Sequence, residues 1–428
     1  MPSPAKAELR LRRLQTPPPN AITLRDLEPD PVLDALDYEA APLREWVERI
    51  LAFRPDLTQE IDAFFERYGD ALGDLLCCPA LHRLTDIRQL GIKRYPPATQ
   101  TMFLQGKLRT VTTSPCLHTR LMHVVQVAAH VIAGGLLLKL ERNLTAIAAC
   151  AALLHDVGYG AYGHDGDNVL LAWGYPGHEE RGERMVQQDL DIRESLAMMD
   201  VDPRAVVVVM REDGFLGRLL SVCDTLAYVC HDARMIGCPL SRSFSYEALA
   251  SIESLGSDAL VVGDEVPLRS MLHVRAELGR GFYFTLTNRI AAVALHQLLQ
   301  DMRARCALTP EVLAAMTDSE ADRFFSGVWF EDTGPSRERN SLRALTFGFW
   351  DELTAWGHIR CPTSESCSTH RGRLVRNKRL PILEIAPWDF TRKQIPVERT
   401  IGARLTLKAD ASLLLDHHRE WHLLWFRT

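Results

Sequence analysis

No apolar run in the 428 residues approaches the roughly 20 needed to cross a bilayer. The longest candidate, Ala146–Leu154, has about half that length and reads as a buried helix. The N-terminus lacks the apolar core of a secretion signal; it carries Lys6, Arg10, Arg12 and Arg13 and then Pro17-Pro18-Pro19. These absences set a cytoplasmic location, without a membrane partner, as the expectation. An excess of positive charge is also missing: 49 Lys and Arg face 55 Asp and Glu for a formal charge of -6, so bulk charge does not suit a nucleic-acid coating protein. Ten cysteines scattered over the chain, with Cys77 and Cys78 adjacent, do not form a compact disulfide framework, and reduced thiols are expected. Cys150, Cys223 and Cys230 lie in apolar helical patterns, where a thiol behaves as a small core residue. No repeat of fixed period is present.

What the chain does have is 46% hydrophobic residues, enough for a substantial core and more than one domain. Residues 1–36, rich in proline and charge, read as a mobile arm; 37–305 as a helical catalytic core; and 306–428 as a smaller α+β portion. Within the core, Leu43, Trp46, Ile50, Leu51, Phe53, Ile61, Phe64 and Phe65 recur at helical spacing. A helix over 82–95 is expected to stop at Pro96-Pro97, and the alternation over 101–113 suits a hairpin or ordered loop. Further helices are expected over 117–138, 144–156, from His178, over 204–210, 216–236 and 282–304, with strand-like runs at 380–385 and 404–407. The fold class expected is therefore mainly α.

The apolar segment 146–154 leads directly into His155-Asp156-Val157-Gly158-Tyr159, and a second His/Asp group, His164 to Asp167, follows within about three helical turns. Upstream, Arg120 and His123 share a helix face; downstream, Asp224, Tyr228 and Asp232 stand at steps of four among apolar Leu226, Ala227 and Val229. An isolated His-Asp pair is ordinarily a satisfied core pair. The combination of His123, His155, Asp156 and Asp224 makes a borderline-to-hard ligand set suited to manganese, iron, zinc or magnesium, with positions left for water and a substrate phosphate. By ligand type alone this is a phosphohydrolase site.

Over much of residues 80–300 the sequence resembles the HD-domain deoxynucleoside triphosphate triphosphohydrolases, which include bacterial dGTPases and the animal enzyme joining a SAM domain to an HD domain. The matching elements are RLTDIRQLG at 83–91, HTRLMH at 118–123, HDVGYGAYGH at 155–164, His178-Glu179 and DTLAYVCHD at 224–232, in the family's order. Arg275 and Tyr283 keep an eight-residue separation like the family's phosphate-binding arginine and sugar-gating tyrosine. The resemblance implies an HD-domain helical core and a divalent ion on His123, His155, Asp156 and Asp224. It assigns His164 and Asp167 to a catalytic pair near the scissile α-phosphate, with Asp167 orienting His164 as proton donor and His178 and Glu179 in support. It makes Arg120 and Arg275 phosphate contacts, Gln89 and Leu90 sugar contacts, and Tyr228, Asp232 and Tyr283 the rest of the substrate surroundings. Members of the family commonly form homo-oligomers, and nucleotide effectors regulate some.

Two positions depart from the pattern. Tyr159 stands where relatives often carry histidine or asparagine, which puts polar assistance from that turn in doubt, and Thr225 replaces the animal enzyme's lysine. The expected reaction is hydrolysis of a dNTP to deoxynucleoside and inorganic triphosphate. Its alternatives are another HD phosphohydrolase, such as a 5'-deoxynucleotidase or guanosine-polyphosphate hydrolase, and a nucleotide- or nucleic-acid-binding regulator without turnover. Outside the core, His358, Cys361, Cys367 and His370 have zinc-ligand types at a spacing that matches no common finger. The basic run Arg371, Arg373, Arg376, Lys378 and Arg379 reads first as solvated surface, with anionic effectors or single-stranded nucleic acid as candidate ligands.

Overall fold

A computed structural model describes residues 43–93, 100–104, 107–111, 118–235, 240–256, 258–305, 308–331, 355–377, 382–387, 393–399, 404–409 and 420–427. The N-terminal arm expected over 1–36 lies outside them. In chain order the helices and strands begin with α1 (Leu43–Ile50), α2 (Thr58–Cys77), α3 (Pro79–His82), β1 (Gln100–Leu104) and β2 (Lys107–Val111). The core continues through α4 (Arg120–Leu137), α5 (Arg142–Leu154), α6 (Gly163–Ala172), α7 (His178–Gln188), α8 (Leu190–Met198), α9 (Pro203–Met210) and α10 (Gly214–Met235). Next come α11 (Phe244–Ala250), β3 (Ile252–Leu255), β4 (Leu260–Val262), α12 (Val266–Leu278) and α13 (Leu286–Arg305). The remainder is α14 (Pro310–Ala315), α15 (Asp318–Glu331), β5 (Ala355–Cys361), α16 (Ser364–Asn377), β6 (Ile382–Ile385), β7 (Gln394–Arg399), β8 (Arg404–Lys408) and β9 (Trp421–Arg427). The fold is mainly α with a small α+β part toward the C-terminus.

Two helices form its centre. Thr119 caps α4, its hydroxyl accepting from the Met122 N–H, and small residues run along the helix at Ala128, Ala129, Ala133, Gly134 and Gly135. Helix α5 answers with Ala146, Ala148, Ala149, Ala151 and Ala152, all fully buried. The two therefore approach closely: a Cβ on Gly135 would lie 2.7 Å from Thr145 Oγ1. Helix α10 packs across this pair through Leu219, Cys223, Leu226 and Ala227. The result aims the first turn of α4, the C-terminal end of α5 and the middle of α10 at one point.

Helix α4 is also long and apolar enough to cross a membrane, although Arg120, His123, Gln126 and His130 interrupt its apolar sequence. Of its length, 83% is buried inside the core. The expected hairpin is β1 paired antiparallel with β2.

The helix expected over 82–95 is a correction. Helical turns end with the 3₁₀ segment Arg83–Asp86, because the next backbone groups bond elsewhere. Arg120 N–H donates to the Ile87 carbonyl at 2.8 Å, Gln89 N–H to the His118 carbonyl at 2.9 Å, and Arg88 N–H to the Asp318 carboxylate at 3.1 Å. Gly91 then turns the chain at φ +58°, where a Cβ would lie 2.4 Å from the Tyr162 carbonyl oxygen.

The C-terminal portion is knitted into the core across the boundary drawn at 305/306. Strand β7 pairs in parallel with β4, giving the sheet order β3-β4-β7-β8, and Ile395, Val397 and Leu407 are buried in the main core cluster. Asp318, at the start of α15, accepts N–H bonds from Tyr162 at 2.6 Å and Arg88 at 3.1 Å, while Asp322 accepts from the Tyr162 hydroxyl at 2.7 Å. Burial pushes the Asp318 carboxyl up to about 6 against these donors.

Candidate metal centre and its surroundings

The convergence of α4, α5 and α10 brings the four expected ligands together. His123 Nε2 lies 3.0 Å from Asp224 Oδ1 and 3.8 Å from Asp156 Oδ2; His155 Nε2 lies 3.5 Å from Asp156 Oδ1 and 3.9 Å from Asp224 Oδ1. Ligands about 2.1 Å from one ion are spaced roughly 3.0 to 3.4 Å in octahedral or tetrahedral geometry, so this set needs only small closure to hold one. The imidazole of His155 is oriented for coordination by its Nδ1, which donates to the Ala152 carbonyl at 2.8 Å and leaves the Nε2 lone pair facing the carboxylates. Burial alone would raise both carboxyls. At Asp156 the Arg120 guanidinium, with His155 and His123, reverses that and holds it well below the usual carboxylate range. At Asp224 the neighbouring His123 lowers the carboxyl against burial. Ionised carboxylates facing two imidazole nitrogens, which are neutral once an ion replaces their protons, fit a divalent cation.

Arg120, the expected phosphate contact, pairs with a carboxylate of this group. It is 1% exposed, its Nη1 donates to Asp156 Oδ2, and its Nη2 donates to the Gln89 carbonyl at 3.3 Å. Its guanidinium therefore fixes a ligand carboxylate from behind and ties it to the turn at Gln89.

Beyond Asp156 the chain reverses tightly. A Cβ on Gly158 would lie 2.0 Å from the His178 carbonyl oxygen, so only glycine lets the turn pack against α7. That contact stacks Tyr159 on His178, with ring centroids 3.8 Å apart and 13° between planes, while Arg120 lies 3.7 Å over the other side of the phenol. The Tyr159 hydroxyl sits 2.5 Å from His164 Nδ1 and 3.2 Å from Nε2. Burial raises the phenol pKa well above its ordinary value, so the hydroxyl keeps its proton in this contact. His164 itself is exposed. Position 159 thus places a polar group on His164.

The expected His164–Asp167 pairing is not formed. Asp167 accepts from His178 Nδ1 at 2.9 Å and from Arg181 Nη2 at 3.0 Å. The orienting group for His164 is Tyr159, and Asp167 with Arg181 instead anchors His178 at the start of α7. Glu179, next in sequence, is exposed.

On the other side of α10, Arg275 Nε donates to the Tyr228 hydroxyl at 2.6 Å and the Tyr283 hydroxyl donates to Asp232 Oδ2. A regular helix would set Arg275 and Tyr283 about 80° apart. The π turn Gly279–Tyr283 changes that phase and delivers both to residues four apart on one face of α10. Gln89 is buried and Leu90 packs partly buried against the core. Thr225 is buried with its hydroxyl donating to the Ser221 carbonyl, 3.0 Å away. Among the described residues, Cys361 and Cys367 are buried free thiols and belong to neither group of metal-competent side chains; the side chain of His358 lies outside the described residues. Arg371, in the basic run, faces Glu384 at 3.3 Å.

Sequence reasoning missed Arg181 and the contact that Tyr159 makes with His164. An aromatic in a ligand-bearing turn was the available signal for the second. Nothing in the spacing of Arg181 announces that it reaches Asp167.

No family model matches the chain, and no curated protein matches it. Its fold is similar to the crystal structure of a phosphohydrolase from Bacteroides thetaiotaomicron, with TM-score 0.57 and 15% identity over 83% of this chain and 96% of that one. It is similar also to a hypothetical protein from Aquifex aeolicus, with TM-score 0.56 and 18% identity over 83% and 92%. At these identities the likeness is one of fold.

Proposed function

We propose that this chain is a metal-dependent phosphohydrolase of the HD-domain type that hydrolyses deoxynucleoside triphosphates at the α-phosphate, releasing deoxynucleoside and inorganic triphosphate. The observation that carries the phosphohydrolase reading is the convergence of His123, His155, Asp156 and Asp224, each imidazole Nε2 within 4 Å of both carboxylates. The order of the sequence motifs carries the substrate. A divalent ion on those four residues would supply positive charge to a phosphoryl oxygen and acidify a bound water.

The chain's own groups do the rest. The Tyr159 hydroxyl hydrogen-bonds with His164 Nδ1 and so holds in place the imidazole that serves a leaving oxygen. Asp167 and Arg181 hold His178, and His178 supports Tyr159 by stacking. Arg275, set by Tyr228, brings a guanidinium suited to phosphate oxygens.

Chelation of the purified protein is expected to abolish turnover, and Asp224→Ala to lower kcat by about a hundredfold or more. Asp224 is the informative ligand because its side chain is 27% exposed; Asp156→Ala also strands the buried Arg120 charge. Full activity after both treatments would sink the mechanism. Release of orthophosphate in place of triphosphate would move the assignment to a nucleotide monophosphatase.

A further inference from the structure

We propose a second divalent-cation site in this chain, built from His118, His231 and Asp232 and sharing no ligand with the first. Each offers one donor atom, and the three atoms lie within 4.8 Å of one another. The site stands two turns along α10 from Asp224, with the His118 and His123 ring centroids 6.2 Å apart. It rests on ligand geometry alone and is independent of the reaction proposed above.

Three observations carry it. First, the donors are left without hydrogen bonds: both ring nitrogens of His118, His231 Nε2 and Asp232 Oδ1 are buried without a partner among the described residues. His118 is 3% exposed and Asp232 1%. Each orphaned buried polar atom costs about 1–3 kcal/mol, and a buried carboxylate without a cation costs more. Second, the spacing is too long for a hydrogen bond and needs only small closure for shared coordination. His118 Nδ1 and Asp232 Oδ1 are 3.8 Å apart, and two atoms each about 2.1 Å from one ion are separated by up to roughly 4.2 Å.

Third, the surrounding contacts fix the ligands without using the lone pairs that face the gap. Asp232 spends Oδ2 on the Tyr283 hydroxyl and keeps Oδ1 toward His118. The His118 and His231 rings stack face to face at 3.5 Å with 24° between planes, which fixes both imidazoles in place, and an ion shared by both would need the rings to tilt apart. The Gln126 amide lies 3.4 Å from His231 Nδ1, and its Oε1 is itself buried without a partner. Turned so that Oε1 accepts from Nδ1–H, that amide leaves the Nε2 lone pair for the ion. Two imidazoles and one carboxylate suit zinc, iron or manganese better than magnesium. A cation there would clamp α10 to the segment whose His118 carbonyl accepts from Gln89 N–H, and through Tyr283 to the π turn.

The test is metal stoichiometry on the full-length protein. Chelator-stripped protein is dialysed against Zn²⁺ or Mn²⁺ and its metal content measured, for wild type and for Asp156→Ala/Asp224→Ala, which removes the first centre. The proposal expects two equivalents in wild type and one in the double variant, and loss of that one when His231→Gln or Asp232→Asn is added. His231 is only partly buried, so its substitution keeps the test usable where the Asp232 change prevents folding. In the double-variant background, zinc or manganese should also raise the melting midpoint by several degrees. A single equivalent in wild type with both ions, none in the double variant, or a second equivalent that survives His231→Gln would overturn the site and leave bound water as the partner of these atoms.

Discussion

Tyr159 touches Arg120, His178 and His164 at once, and no other described side chain joins the ligand-fixing arginine to the exposed imidazole. Tyr159→Phe keeps both ring contacts and removes only the hydroxyl. The expected outcome is a fall in kcat of about tenfold, the worth of one good hydrogen bond, with KM changed by roughly twofold or less. Steady-state kinetics at saturating metal measures this; an unchanged kcat would exclude the tyrosine from the chemistry. The residue scale is also where sequence reading stops. His123, His155, Asp156 and Asp224 were legible because ligand chemistry restricts residue type. The pairing of Asp167 with His178, and not with His164, follows from how α7 packs on Gly158, which no spacing rule contains.

Among the elements, α4 is strongly apolar yet interrupted by Arg120, His123, Gln126 and His130, and His130 shows how one interruption is accommodated. Its Nδ1 donates to the Gln126 carbonyl at 2.7 Å, and its Nε2 accepts from the Ser245 hydroxyl at 3.0 Å, joining α4 to α11. Burial pushes its pKa from 6.5 down to about 4, with Gln126 opposing and the Arg234 charge assisting. A depressed histidine stabilises the fold fully above its unfolded pKa and loses that contribution as pH falls toward the folded value. Between pH 6.5 and 4 the loss is on the order of 3 kcal/mol. Denaturant midpoints of wild type and His130→Gln across that window should show a shallower pH dependence in the variant; identical slopes would refute the assignment. Helices were readable at this scale wherever one face is apolar and local donors stay within the helix. The 82–95 segment misled because Ile87, Gln89 and Arg88 place their backbone bonds on α4, its approach and α15, all remote in sequence.

At the scale of the molecule, the helical core and the C-terminal strands form one packing unit. Ile395, Val397 and Leu407 together contribute on the order of 5 kcal/mol of apolar burial to a core whose other members come from residues before 305. A chain truncated after Arg305 is expected to melt at least about 10 °C lower and to associate through the uncovered edge of β4. Calorimetry and light scattering check both, and a monomeric truncation with an unaltered midpoint would show that the core stands alone. The division at 305/306 was read from a change of texture, and texture carries no record of which strands pair.

The parallel pairing of β4 with β7 joins Leu260 to Val397 and Val262 to Arg399. On a ribosome adding about 5–20 residues per second, β4 leaves the exit tunnel on the order of ten seconds before its neighbour exists. The helices that carry His123, His155, Asp156 and Asp224 are complete throughout that interval while one sheet edge stays open, so the nascent chain passes through a stage in which it has these side chains and lacks its final cover.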